Sequence, residues 1–296
     1  MEAIYAGHSD NIFAVAWSPD GNWLASGARD RTVRVWNTSS GLCEYTYRGH
    51  TGHVLAVGWS PDGRYVASGC TEGVVRVWHG FTGEPVVTYE GHKRFVRSVA
   101  WSPDGRYVAS GGDFGDSTVQ VWEAVTGRHM YTYTNQYRIF AVGWSLDGRR
   151  IASASFDGTA QVWDAFDGRN ALIYKEHEGP VYALAWSPDG QSIVSAGQDA
   201  FVQVWDALTG KTIEEYAGHK QPVKAVDWSP DGQYIASGSD DVLVLVWKRS
   251  AGTPVYIYRG HNSWVRTLAW SPNGEHIASA SDHRIHIWSN LHSHLC

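Results

Sequence analysis

Val15-Ala16-Trp17-Ser18-Pro19-Asp20-Gly21 is the stretch whose reading decides the fold. It returns with small variations around Trp59, Trp101, Trp144, Trp186, Trp228 and Trp270, at steps of 42, 42, 43, 42, 42 and 42 residues. A second series runs in phase with it: Trp36, Trp78, Trp122, Trp163, Trp205, Trp247 and Trp288. Seven copies fill the chain, and self-similarity at a period of roughly 20–50 residues marks a solenoid, a propeller or an array.

Within the first copy, Asn11 to Trp17 alternates and is rich in Ile, Phe, Val and Trp, which reads as a strand. Ser18-Pro19-Asp20-Gly21 is a turn: Pro presets φ, Asp bonds its own backbone, and Gly accepts positive φ. Trp23 to Gly27, Thr32 to Trp36 and Leu42 to Tyr47 are three further strands, separated by Arg29-Asp30-Arg31 and Thr38-Ser39-Ser40-Gly41. Nothing carries a helical period. Four short antiparallel strands cannot bury both faces alone, so the copies must stack, and seven stacked radially close a ring without long exposed edges. An open solenoid would need polar capping repeats, and the sequence shows none. Residues 2–6 match the fourth strand of other copies (compare Glu44-Tyr45-Thr46-Tyr47), yet they precede the first copy, while the seventh copy stops after its third strand at Trp288. The predicted architecture is therefore all-β: one seven-bladed domain over residues 1–296, with four antiparallel strands per blade. The N-terminal strand at about 2–6 completes the blade begun at about 261–288, and 289–296 form a tail.

The bulk numbers exclude several functions. With 43% hydrophobic and 18% charged residues, the 296-residue chain has the composition of a soluble globular protein. Its net charge of -6 provides no global basic field for nucleic acid. Cys43, Cys70 and Cys296 show no paired spacing, which fits a reducing compartment better than a disulfide framework. Met1 to His8 lacks the pattern of a signal peptide, and no apolar run approaches the ~20 residues of a membrane helix. A cytoplasmic location and no membrane contact are expected.

These features resemble the WD-repeat β-propellers over nearly the whole chain. The resemblance rests on Gly-His (Gly7-His8, Gly49-His50, Gly91-His92, Gly218-His219 and Gly260-His261), on Ser-Pro-Asp-Gly, and on Trp-Asp closing the third strand at Trp163-Asp164 and Trp205-Asp206. Trp-Asp is loose elsewhere: Asn37, His79, Glu123, Lys248 and Ser289 take the Asp position. The regular, Tyr-rich style (Tyr-x-Gly-His, Trp-Ser-Pro-Asp-Gly) is similar to bacterial members.

Each copy places His, Ser, Asp and Trp at fixed spacing, as in His8, Ser26, Asp30 and Trp36; His177, Ser195, Asp199 and Trp205; and His219, Ser237, Asp241 and Trp247. A hydrolase triad would occur once, beside an oxyanion hole, whereas this set recurs in every copy. The resemblance implies a buried structural network instead. His50, Ser68 and Trp78 carry it in the second copy, where Glu72 takes the Asp position. Asn135 replaces His in the fourth copy, the third has two extra residues (Gly112 to Asp116), and the seventh is one residue short between Ser279 and Asp282. Weaker networks are expected in blades 2 and 4, with Asp at 72 and His at 135 raising stability. His283, His286, His292, His294 and Cys296 suggest a metal cluster, but His286 lies within an apolar strand, and no metal or other cofactor is expected. Cys70 reads as a small buried hydrophobe.

Function is sought where the repeat leaves residues free. The resemblance implies partner binding on the face carrying the first-strand starts and the second-to-third-strand turns. Those positions read Asn11/Phe13, His53/Leu55, Phe95/Arg97, Arg138/Phe140, Pro180/Tyr182, Pro222/Lys224 and Trp264/Arg266. The residues before the turn Asp are Arg29, Thr71, Gly115, Phe156, Gln198, Asp240 and Ser281. The face is aromatic and locally basic, with Arg29, Arg97, Arg138, Lys224 and Arg266 set against Asp240. Such residues are enriched at interface hot spots, and guanidinium beside an aromatic ring suits carboxylate or phosphate. A monomeric, non-catalytic scaffold binding an acidic or phosphorylated protein or peptide is expected. The alternatives are a small-ligand or enzyme site in the central channel, for which no non-repeating acid, base or metal set is read, and a purely structural or engineered scaffold.

Overall fold

The computed structural model describes residues 3–134 and 137–289. In the first blade β2 (Ile12–Trp17), β3 (Trp23–Ala28), β4 (Val33–Asn37) and β5 (Cys43–Tyr47) pair antiparallel in chain order. Five further four-stranded meanders follow over 54–89, 96–133, 139–174, 181–217 and 223–258. The seventh blade is assembled from both ends: β26 (Thr267–Trp270), β27 (His276–Ser281) and β28 (Arg284–Ser289) are joined by β1 (Ala3–Ala6), with Ala3 opposite Ile287 and Ala6 opposite Arg284. Among the described residues there is no helix.

Each Ser-Pro-Asp-Gly turn is held the same way. In the first, Gly21 N–H donates to Ser18 O at 2.9 Å, Ser18 Oγ donates to Asp20 at 2.5 Å, and Trp23 N–H returns to Ser18 Oγ at 2.9 Å. Gly21 sits at φ 72, a conformation costly for any residue with a Cβ.

The core lies between blades. The fourth-strand tyrosine of one blade covers the third-strand tryptophan of the next: Tyr47 on Trp78, Tyr89 on Trp122, Tyr133 on Trp163, Tyr174 on Trp205 and Tyr258 on Trp288, with ring centroids 4.0 to 4.7 Å apart. Tyr5 does the same across the seam, stacking on Trp36 at 5.6 Å. First-strand tryptophans tie the inner strands together. The indole N–H of Trp17 donates to Ala269 O, Trp101 to Gly58 O and Trp228 to Ala185 O, at 3.0 to 3.2 Å. Both tryptophan series are thus spent on packing.

Candidate functional site

The repeated polar set is internal. His8 Nε2 meets Ser26 Oγ at 2.8 Å, His8 Nδ1 meets Asp30 at 2.8 Å, and Trp36 Nε1 donates to Ser26 Oγ at 2.8 Å. The same bonds form around His177 and His219. The lengthened third blade keeps the set through Asp116, 3.2 Å from His92 Nδ1. Burial opposes ionisation of Asp116, but the hydrogen bond and charge of His92 carry its carboxyl down to about 2. In blade 2, Glu72 turns to Thr51, and His50 Nδ1 is buried without a partner. Burial, aided by the charge of Arg76, holds the His50 imidazole down at about 3. In blade 4, Asn135 lies outside the described residues, and Trp163 Nε1 lacks a hydrogen-bond partner. Blade 7 corrects the expectation for Asp282: Ser281 takes the bond to His261 Nδ1 at 2.8 Å, while Asp282 occupies the left-handed turn position at φ 49. The missing residue turns this connection into a two-residue hairpin, with Ser281 opposite Arg284.

The channel mouth is different. The first strands of blades 1 to 6 each carry a bulge at one register, between Ile12 and Ala14, Val54 and Ala56, Val96 and Ser98, Ile139 and Ala141, Val181 and Ala183, and Val223 and Ala225. The skipped residues are Phe13, Leu55, Arg97, Phe140, Tyr182 and Lys224. A bulge re-aims a side chain out of the ladder, and here all six, joined by Arg266, line one depression of about 260 Å³ over the channel. The residue before each, from Ile12 to Val265, is buried. Phe95, Phe156 and Trp264 stand exposed.

The face expected to be locally basic has most of its cations paired. Asp113, from the extra residues of blade 3, binds Arg97 Nε at 2.5 Å and Arg138 Nε at 2.6 Å. Phe140 packs near both guanidiniums, at 5.5 and 5.6 Å. Lys224 lies 3.5 Å from Asp240 and 3.5 Å from the Tyr182 ring centroid. Burial pulls the Lys224 ammonium below its ordinary range against the pull of Asp240, and the charges of Arg266 and Arg97 add to the lowering. Arg29 is 3.7 Å from Asp10. Ser281, expected on the face, is buried in the network. Arg266 alone among the five expected cations has no carboxylate within salt-bridge distance among the described residues. Its Nε is buried without a hydrogen-bond partner, and its guanidinium lies between Phe13 (5.8 Å) and Trp264 (5.3 Å).

Sequence reasoning missed two acids. In the sequence Asp113 is only one residue of a lengthened turn. Asp227 faces the channel from the position before the first-strand tryptophan, where the other copies have Ala16, Gly58, Ala100, Gly143, Ala185 and Ala269. That single departure is the available signal; it adds one lone acid to the channel wall, not the set of acid, base or metal groups that an enzyme site would need. Its two oxygens accept the N–H groups of Trp228 (2.9 Å) and Trp270 (2.8 Å), and burial nonetheless pushes its carboxyl up to about 6. His286 is buried and meets Tyr258 at 2.9 Å, on the third strand where Gln120 and Gln203 receive Tyr89 and Tyr174. His283 is exposed, and His292, His294 and Cys296 lie outside the described residues. Among the described residues no three His, Cys, Asp or Glu groups come together as a metal site requires.

Comparison with known proteins follows the blades. The family model described as WD domain, G-beta repeat matches residues 2–37, 41–79, 83–123, 127–164, 168–206, 210–248 and 252–289. Similar relatives include a Periodic tryptophan protein 2 homolog of Dictyostelium discoideum, 52% identical over 40 residues, or 14% of this chain and 4% of the relative. A Ribosome biogenesis protein BOP1 homolog of Monosiga brevicollis is 42% identical over 40 residues, 14% of this chain and 5% of the relative. Transcriptional repressor tup12 of Schizosaccharomyces pombe is 47% identical over 36 residues, 12% of this chain and 6% of the relative. The shared segments are one repeat long and cover only a small part of each relative.

Proposed function

The chain belongs to the WD domain, G-beta repeat family, and from that premise we propose that it is a non-catalytic scaffold that binds a protein or peptide segment at the channel mouth. The observation that carries this reading is the contrast between two sets of positions. The His-Ser-Asp-Trp positions repeat and are buried. The bulge positions are at one register, differ in type from blade to blade, and meet in one depression. Rigid aromatic rings and guanidiniums at a concave centre are the usual anchors of an interface. The relatives' names speak of ribosome biogenesis and transcriptional repression, functions that fit assembly scaffolds. The unpaired Cys43 and Cys70 suit a reducing compartment, and a cytoplasmic monomer is the form proposed.

The test is a display selection with peptides on the parent, on a mouth variant (Phe95→Ala, Phe140→Ala, Trp264→Ala) and on an opposite-face control (Leu146→Asp, Leu208→Asp). Enrichment on parent and control but not on the mouth variant is expected, with all three melting alike. Equal enrichment on all three removes the mouth from consideration. Asp227 is the one observation favouring a small-ligand site in the channel. Both its oxygens already accept backbone N–H groups, so it reads first as a structural acid. A metabolite panel that raises the melting temperature of the parent but not of Asp227→Ala would reverse that order.

A further inference from the structure

We propose that the mouth holds a bipartite peptide site, with one carboxylate-specific slot at Arg266 and an aromatic ridge across blades 3 to 5. This rests on the peptide-binding reading above and names the chemistry of its ligand.

The slot follows from charge accounting. Arg97 and Arg138 share Asp113, and Lys224 has Asp240. Arg266 has no carboxylate within salt-bridge distance among the described residues; the rings of Phe13 and Trp264 flank its guanidinium, and its Nε is buried away from water. Shielding raises the worth of an ion pair formed there, and the planar fork suits a carboxylate. Trp264 is half exposed, at 52%, and it is one of only two tryptophans, with Trp23, outside the two phased series. Among the described residues Arg266 is the one cation lining the depression without a carboxylate partner, and one cation matches one negative charge. A phosphate carries close to two, and the second cation it would need is already committed to an aspartate.

The ridge is a chain of rings. Phe114 meets Tyr137 at 5.8 Å, Tyr137 meets Phe156 at 6.0 Å, Phe156 meets Phe140 at 6.3 Å, and Phe140 meets Tyr182 at 5.0 Å. Phe114, Tyr137 and Phe156 are exposed at 56, 43 and 41%. The last two rings of the chain, Phe140 and Tyr182, line the same depression as Arg266. Apolar surface and the unpaired Arg266 therefore meet in one concavity. The occupant that fits is a peptide segment of a partner protein, with Asp or Glu in the slot and aliphatic or aromatic side chains along the ridge.

A phage-displayed random dodecapeptide library is selected on the full chain, on Arg266→Gln, and on the pair Phe114→Ala with Tyr137→Ala. The parent should enrich peptides with an acidic residue at fixed spacing from apolar ones. Arg266→Gln should lose the acidic preference alone, and the ridge variant the apolar preference alone. The best peptide is then synthesised with Asn, or with phosphoserine, replacing its acidic residue. On the parent, Asn should weaken binding at least tenfold; on Arg266→Gln it should change it less than threefold; phosphoserine should bind no tighter than the carboxylate. Phosphoserine binding tenfold tighter overturns the one-cation slot, as does an acidic preference that survives Arg266→Gln. Peptides that enrich on the parent without acidic or apolar preference overturn this site and leave the broader peptide-binding reading standing. If nothing enriches on correctly melting parent protein, both fall.

Discussion

Glu72 is one methylene too long to serve His50. The two residues occupy the positions that His8 and Asp30 hold in blade 1, yet His50 Nδ1 stays unpartnered while Glu72 reaches Thr51. An unmade buried hydrogen bond costs more than a made one contributes. Glu72→Asp should therefore stabilise the protein by about 1 kcal/mol, read as a higher denaturant midpoint. The effect should depend on pH. The folded protein holds His50 near 3, whereas an unfolded histidine takes its proton near pH ~6.5. Protonation thus favours the unfolded chain, and parent stability falls as pH drops from about 6.5 towards 3. A paired His50 resists less, so the advantage of the Asp variant should widen between pH 6.5 and 4; a constant gap would count against this account. Val242 is a second local fault. It sits at φ 74, where blades 2 and 4 place Gly73 and Gly158 at φ 82 and 85. A β-branched residue in that region carries roughly 1–3 kcal/mol of strain, against about 0.4–1 kcal/mol of extra chain entropy for glycine. Val242→Gly should come out about 1 kcal/mol more stable in urea unfolding; a loss of stability would show that the strain is absent.

The inner strands of neighbouring blades share no ladder, so side chains bridge them. Ser98 accepts Val142 N–H at 3.0 Å, Thr267 accepts Val15 N–H at 3.3 Å, and Asp227 accepts Trp270 N–H at 2.8 Å. The first two bridges are neutral. Asp227 is ionised above pH 6, inside a wall of small apolar residues, and Trp270 Nε1 beside it has no hydrogen-bond partner. Because the folded carboxyl titrates near 6 rather than at its ordinary value, its charged form is disfavoured in the fold. The penalty is present above pH 6 and is relieved as pH falls towards the unfolded value of ~3.9. It amounts to no more than about 3 kcal/mol. Asp227→Ala restores the residue found in most blades and removes that penalty. Its stability relative to the parent should rise between pH 4 and pH 7, and melting curves that track each other across this range would show that Asp227 does not titrate there.

At the scale of the ring, β1 is the only strand that joins the two ends of the described chain. It pairs with β28, and Tyr5 both stacks on Trp36 and donates to Thr38 O at 2.9 Å. Removing residues 1–6 would bare the edge of β28 and uncover Trp36, leaving a template for pairing with other chains. Such a truncation should lower the melting temperature sharply and promote concentration-dependent association, both reversed by adding a peptide of residues 1–7. A truncated protein that melts like the parent would mean that the seam bears no load. Tyr5→Ala should cost about 3–5 kcal/mol, similar to Tyr89→Ala inside the ring, if every junction is equally packed.

The phased tryptophans by themselves determine the blade number, and the turn residues between them, with the fourth-strand pattern at residues 2–6, determine the strand order and the shared seventh blade. A repeat that cannot bury its own faces has few ways to close, and the turn residues admit only one meander. The register of the mouth residues was legible too, since positions that vary at a fixed phase stand out against a strict template. Which of those residues are free to bind was not legible. Arg97, Arg138 and Lys224 look like Arg266 in the chain, and only the bulges and the folded turn of blade 3 bring Asp113 within 2.6 Å of two of them. The same holds for Ser281 replacing Asp282 and for His286 serving Tyr258 rather than a metal. Periodicity reports where a side chain lies in its own blade. Charge pairing depends on contacts between blades and on loop lengths, and only the closed ring sets those.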